Sequence, residues 1–261
     1  MMPLRERLAA RRPVMGTWSV VASATVVEIA ARAGLDFVLL DMEHGVHDIG
    51  ALEQAVRAAE GAGCAPLVRV PDLAAATFQR VLDLGAHGVI VPQVRGVADA
   101  ERAVRQARYA PLGERGYNPF TRVADYAAPA TAGAGKLDPA FPLVGVIVEN
   151  ADAYRDVAAI CAVEGVDLVY LGIYDMSLAL GCNGDTRHPD VGRFVAETAR
   201  AVLAAGKTLG MMVRGEADID AALALGATML VWGVDANVIH QAFRVPVDAL
   251  ARRRAADGKE G

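Results

Sequence analysis

Short apolar runs alternate with alanine-rich stretches of helical period from one end of the chain to the other. The runs predict strands over 14–19, 36–42, 66–70, 88–94, 143–149, 167–172, 208–213 and 228–233. Helices are predicted to open near Ala24, Gly50, Ala74, Ala98, Asp152, Asp190, Glu216 and Ala236. Strand and helix in strict alternation imply a parallel sheet with helices outside. Eight such units favour a closed (β/α)8 TIM barrel, in the α/β class, over an open sheet. Glycines recur just before strands, at Gly34, Gly85, Gly165 and Gly226, and read as helix ends that turn the chain back into the barrel. They belong to the barrel floor, away from chemistry.

No linker or domain boundary interrupts the pattern, so the whole of 1–261 is expected to form one domain. Residues 1–12 read as an N-terminal helix, and 235–261 as a C-terminal helix with a frayed tail. One connection breaks the rhythm. Residues 110–142, between the fourth helix and the fifth strand, form a loop far beyond the usual length and so mark a functional or mobile segment. Its first half, with arginines, aromatics and an Asn-Pro turn, reads as ordered on the active-site side; its Ala/Gly/Thr/Pro-rich second half reads as mobile.

Composition narrows the function. Hydrophobic residues at 54% supply a large core, and a net charge of -5 provides no positive field for nucleic acid. No apolar run approaches the ~20 residues a membrane helix needs, and the basic N-terminus lacks the apolar segment of a secretory signal. Three scattered cysteines, Cys64, Cys161 and Cys182, contain no CxxC pair, which argues against a disulfide framework and a thiolate zinc site. A cytoplasmic enzyme is the expectation.

The candidate chemistry lies where apolar strands end in charge. Leu39-Leu40-Asp41-Met42-Glu43-His44 runs from core into two acids and an imidazole. Arg69 ends the third strand; Glu149 ends the fifth, and Asp175 follows the sixth. Polar groups delivered at the C-terminal ends of barrel strands are how this architecture builds an active site. Glu149 and Asp175 suit a hard divalent cation such as Mg²⁺ or Mn²⁺, or else an acid/base pair of the glycosidase kind. For Glu149 alone, a simple helix cap competes with either role. Asp41 and Glu43 share a strand face, and His44 beside them is a candidate acid/base group, although loop histidines are more often inert. Arg69 needs an anion, whether Asp41, Glu43, a substrate oxygen, or an acid and a substrate together. His47 completes a His-x-x-His spacing that is too weak in a loop to be read as a metal site. No glycine-rich nucleotide loop is present, and no lysine ends a strand, so carbon–carbon chemistry would rely on metal rather than an imine.

In this order the residues carry a resemblance. The chain resembles the HpcH/HpaI aldolase family, the metal-dependent pyruvate aldolases, nearly end to end. The matching text includes Asp36 to Asp41 with Glu43-His44, Val68-Arg69-Val70, Val81 to Ala86, Val91-Pro92-Gln93-Val94, Arg108-Tyr109, Arg115-Gly116, Glu149, Glu164 to Asp167, Asp175 with Ser177, His188-Pro189 and Gly233-Val234-Asp235. The resemblance implies Glu149 and Asp175 as ligands to Mg²⁺, Mn²⁺ or Co²⁺, and Arg69 as binder of pyruvate oxygens. It implies His44 as acid/base group, paired with Asp83 of a neighbouring subunit. Gly172, Tyr174 and Asp175 would contact substrate, with Asp41 and Glu43 in support. It further implies a 2-oxo acid and an aldehyde as substrates, cleavage or synthesis through a metal-bound pyruvate enolate, and a hexamer that exchanges its C-terminal helices.

Two departures stand beside the expected metal. Ile147 occupies a usual glutamine position, and Gly172-Ile173-Tyr174-Asp175-Met176-Ser177 replaces the usual Gly-Pro-x-Asp-Leu-Ser. They leave open a citrate-synthase-like or other biosynthetic condensing reaction on the same fold, and, further off, a non-catalytic metal-binding barrel.

Overall fold

The computed structural model describes residues 3–127 and 141–257. Eight strands, β1 (Val14–Ser19), β2 (Phe37–Asp41), β3 (Ala65–Arg69), β4 (Gly88–Val91), β5 (Leu143–Val148), β6 (Leu168–Leu171), β7 (Thr208–Val213) and β8 (Met229–Val234), close in sequence order into a parallel barrel. The eight expected strands are all present, most of them trimmed by one to three residues at an end.

Strand parity sorts the core into two. Phe37 and Leu39 of β2, Leu67 of β3, Ile90 of β4, Ile147 of β5, Leu168 and Tyr170 of β6 and Val231 of β8 fill the barrel interior. Alternate positions such as Val38, Leu40, Val68, Val89, Val146 and Val169 face outward against the helices. Continuing the inward parity one step beyond each hydrophobic layer brings Asp41, Arg69 and Glu149 to the rim. The fold thus dictates which charged residues can meet.

The outer layer comprises α2 (Ala24–Arg32), α3 (Ile49–Gly61), α4 (Ala75–Asp83), α5 (Val97–Ala107), α6 (Ala151–Arg155) with α7 (Val157–Ala162), α8 (Ile173–Ala179), α9 (Pro189–Ala204), α10 (Glu216–Leu225) and α11 (Asp235–Asp257). The four turn glycines take positive φ, between +89° and +99°, as their position before strands requires. The N-terminal α1 (Leu4–Ala9) closes the floor: Leu4 and Leu8 join the interior cluster, Arg5 pairs with Asp167 at 2.6 Å, and Arg7 pairs with Asp36 at 2.5 Å.

Two local elements differ from the sequence expectation. Directly after β6 comes the short α8, which alternation alone does not predict because it adds a helix within one βα unit. The first half of the long connection is ordered, as expected, and carries a short 3-10 segment over Arg122–Ala127. The part expected to be mobile, 128–140, lies outside the described residues, as does the extreme tail. The last turns of α11 extend helix further into 250–257 than a frayed end would. Among the described residues no helix is long and apolar enough to cross a membrane.

Candidate active site

A cleft of about 320 Å³ opens at the C-terminal ends of the strands, lined on one side by Asp41, His44, Arg69, Glu149 and Asp175 and on the other by Trp18, Ile147, Tyr170, Met212 and Val234. Gly172 and Tyr174 also line it. Seven of the nine residues singled out from the sequence as catalytic, metal-binding, substrate-contacting or supporting line this cleft, and an eighth, Glu43, is ion-paired to Arg69 beside it.

Arg69 organises the acidic side. Its Nε and Nη2 donate to Asp41 Oδ1 and Oδ2 at 2.8 and 2.5 Å, a two-pronged pair that a lysine could not reproduce. Nη1 lies 2.9 Å from Glu43 Oε2, and the guanidinium carbon sits 4.5 Å above the Trp18 ring. Asp41 is 0% exposed and also accepts the backbone N–H groups of Glu43 and His44 on Oδ1. Burial alone would raise the Asp41 pKa, but the hydrogen bonds and charge of Arg69 hold it below the ordinary range. Glu43 goes the other way: burial raises it more than its ion pair with Arg69 lowers it.

Glu149 is 3% exposed, and burial together with the nearby charges of Asp175 and Glu43 pushes its carboxyl up to about 7. Its Oε1 accepts the Gln93 backbone N–H at 2.6 Å. Gln93 takes a left-handed φ of 55°, which turns this amide toward the acid. The capping role that competed for Glu149 falls to Asn150, whose side chain accepts the Ala153 N–H at the start of α6. Asp175 follows β6, as read from the sequence, and lies in the first turn of α8. The two acids face one cleft.

Gly172 does not offer substrate a side chain; it makes space. A Cβ there would come 2.4 Å from Glu149 Cβ and 2.8 Å from its Oε2. Gly172→Ala is therefore expected to displace the Glu149 carboxylate and to lower the melting temperature by a few degrees in a calorimetric scan.

His44 is 67% exposed on its side chain, with Nε2 3.9 Å from Glu43 Oε2, so it is a rim group open to solvent and to a neighbouring molecule. His47 is buried, and a ring nitrogen lies 3.1 Å from the Ser19 carbonyl; it is a core histidine. Asp83 does not line the cleft of its own chain. It ends α4, where Arg115 donates to it at 2.7 Å and Gln79 at 2.7 Å. The sequence reading missed Trp18, Gln93's amide and the inward-facing Tyr170 as site-forming groups; strand parity places Trp18 and Tyr170 inside the barrel but does not mark them as part of the site.

The donor set fits a hard divalent cation: two carboxylates face one cleft, and the buried one, Glu149, is raised by burial and by the charges of its acidic neighbours, which a cation would relieve. A different trio, Cys182, His188 and Asp190, brings three potential ligand atoms within 4.8 Å among the described residues. There the His188 Nδ1 lone pair already accepts the Asp190 N–H as the cap of α9.

A closed eight-stranded parallel barrel with a charged cleft at the C-terminal ends of its strands is the architecture of a TIM-barrel enzyme. The comparisons make this specific. The chain belongs to the HpcH/HpaI aldolase/citrate lyase family, whose profile matches residues 14–242. It is 34% identical, over 94% of its length and 95% of the relative's, to the 5-keto-4-deoxy-D-glucarate aldolase of Shigella dysenteriae serotype 1 (strain Sd197). Among solved structures it superimposes on an HpcH/HpaI aldolase from Desulfitobacterium hafniense DCB-2 with a TM-score of 0.88 at 31% identity, covering 96% of this chain and 97% of that one. It matches the citrate synthase SbnG with a TM-score of 0.86 at 28% identity, covering 98% and 100%. The expected fold and family are correct, and the chain is a carbon–carbon lyase of the aldolase type.

Proposed function

We propose that this lyase is divalent-cation-dependent and acts on a 2-oxo acid, making or breaking the bond between a pyruvate enolate carbon and an aldehyde carbon. The observation that carries the reading is the shared cleft of Glu149, Asp175 and Arg69. Glu149 and Asp175 would hold Mg²⁺, Mn²⁺ or Co²⁺, with waters or substrate oxygens completing the coordination. Bound there, the cation would supply Lewis acidity to the carboxylate and ketone oxygens of the 2-oxo acid. Arg69, fixed by Asp41 and Glu43, would bind an oxygen of the same group and stabilise the charge it gains. His44 would move the proton at the substrate's reacting carbon or oxygen, with Asp83 of a neighbouring copy as its partner. Tyr174, exposed at the cleft rim, would meet the distal part of the substrate.

Metal-stripped protein incubated with pyruvate in D₂O tests this directly. Methyl-proton exchange followed by NMR is expected to require added cation and to fall at least a hundredfold in His44→Ala. Exchange without cation, or none with any cation, would overturn the reading.

A second reading has its own support in the likeness to a citrate synthase and in Ile147, Ile173 and Tyr174 beside the cleft. Citrate formation from oxaloacetate and an acyl-CoA, without aldol turnover, would establish a condensing enzyme instead.

Assembly is part of the proposal. α11 projects Phe243, Val245, Val247 and Leu250 into solvent at 71%, 68%, 54% and 48% exposure, an apolar surface that suits exchange with a second copy. Phe243→Glu with Val247→Glu is expected to convert a hexamer into smaller species by light scattering; an unchanged mass would remove α11 from the interface.

A further inference from the structure

Tyr170 carries a hydroxyl hydrogen that no described residue receives. Its ring points into the barrel from β6, 5% exposed, and room for it comes from its register partner Gly210 on β7, where a Cβ would approach Tyr170 Cδ2 to 2.9 Å. The Trp18 indole donates its Nε1–H to the Tyr170 hydroxyl oxygen at 3.1 Å, with the rings edge to face at 5.4 Å and 89°. Arg69 in turn stacks on Trp18, so the three side chains hold one another in place.

The direction of that bond matters. An indole N–H can only donate, so the phenol oxygen is the acceptor and its own hydrogen must be given elsewhere. None of the described residues accepts it, and the group lines the cleft. Burial pushes the phenol above its ordinary range, so it keeps its proton. On the apolar wall formed with Ile147, Met212 and Val234, the Trp18 N–H is already spent on Tyr170.

We propose that Tyr170 is a catalytic residue whose hydroxyl donates a hydrogen bond to the acceptor oxygen, the aldehyde C=O in synthesis and the 4-hydroxyl in cleavage. The proposal rests on the lyase reading above, in which the cation and Arg69 would meet the carboxylate and ketone oxygens and His44 would supply the proton to the 4-oxygen. In synthesis the enolate electron pair forms the new carbon–carbon bond, and the C=O π pair moves onto oxygen. The Tyr170 bond strengthens as that charge develops. The alkoxide then takes a proton from protonated His44 or solvent, and Tyr170 retains its own.

Tyr170→Phe separates this role from a structural one. With added Mg²⁺ or Mn²⁺, pyruvate methyl exchange in D₂O involves no acceptor and is expected to stay within twofold of wild type. Carbon–carbon bond formation from pyruvate and glycolaldehyde is expected to fall on the order of a hundredfold in kcat/KM. Equal loss in both assays, or loss in neither, would overturn the proposal. A second measurement stands even if the exchange assay shows no enolate chemistry. In a Trp232→Phe background Trp18 is the sole tryptophan, and its emission in metal-free protein is expected to respond saturably to glycolaldehyde. Tyr170→Phe is expected to weaken that response at least fivefold; an unchanged response, or no response before substitution, would overturn the contact.

Discussion

Glu149→Ala, or Asp175→Ala, is expected to lower cation-dependent turnover by at least a thousandfold while the barrel stays folded. The two acids stand at the ends of adjacent strand–loop units in one cleft, and each loss would leave the cation a single protein carboxylate. The fold should survive because neither acid holds it together. Glu149 accepts one backbone N–H, from Gln93, and α6 is capped independently by Asn150. Removing Glu149 also removes a buried carboxyl held near 7, a group costly to ionise without a cation, so the metal-free variant should melt no lower than the metal-free wild type. Added cation should then raise the melting temperature of wild type but not of the variants. Full turnover by either variant after chelation and metal add-back would refute the assignment, and calorimetric titration with Mn²⁺ would reveal whether binding or chemistry was lost.

The barrel was legible in the chain because its signal is repeated eight times: each buried strand is an apolar run, and each helix follows at the expected spacing. The candidate site was legible for a related reason. A charged residue at the inward-facing parity after such a run must sit at the rim, and Asp41, Arg69 and Glu149 obey that rule. Asp175 was found, but its element was not, because α8 is a single short helix whose residues, Ile-Tyr-Asp-Met-Ser-Leu-Ala, carry no clear period. The role of Gly172 was opaque for a different reason. Its importance is the close approach of Glu149 across two strands, a tertiary fact with no local pattern. Trp18 and Tyr170 were overlooked because aromatic residues in strands are ordinarily core, and only the hydrogen bond between them marks their polar ends.

Arg69→Ala carries the second large effect, and here activity and stability should fall together. Turnover is expected to drop a hundredfold or more, the scale of losing a charged donor to a developing oxyanion, with cation affinity retained. The cost in stability comes from Asp41. That carboxylate is fully buried and takes two of its four hydrogen bonds from Arg69; the remaining two come from the Glu43 and His44 amides. Breaking such a pair by removing one partner costs about 3–5 kcal/mol, because a charge is left in a poor solvent. The pH dependence identifies the cause. In wild type the Asp41 pKa lies below its unfolded value of 3.8, so its stabilisation is present above that pH and is lost only in stronger acid. Without Arg69, burial is opposed only by the Glu43 and His44 amides, so the folded pKa is expected to rise above the unfolded one and the variant to lose stability as pH rises through that raised value. The gap between the two proteins should therefore be wider at pH 7.5 than at pH 5 in urea unfolding. Adding Asp41→Asn to Arg69→Ala should recover part of the loss, since the stranded charge disappears while a side chain able to accept the two amides remains. A gap independent of pH, with no recovery in the double variant, would mean that lost packing on Trp18 rather than an uncompensated carboxylate accounts for the damage.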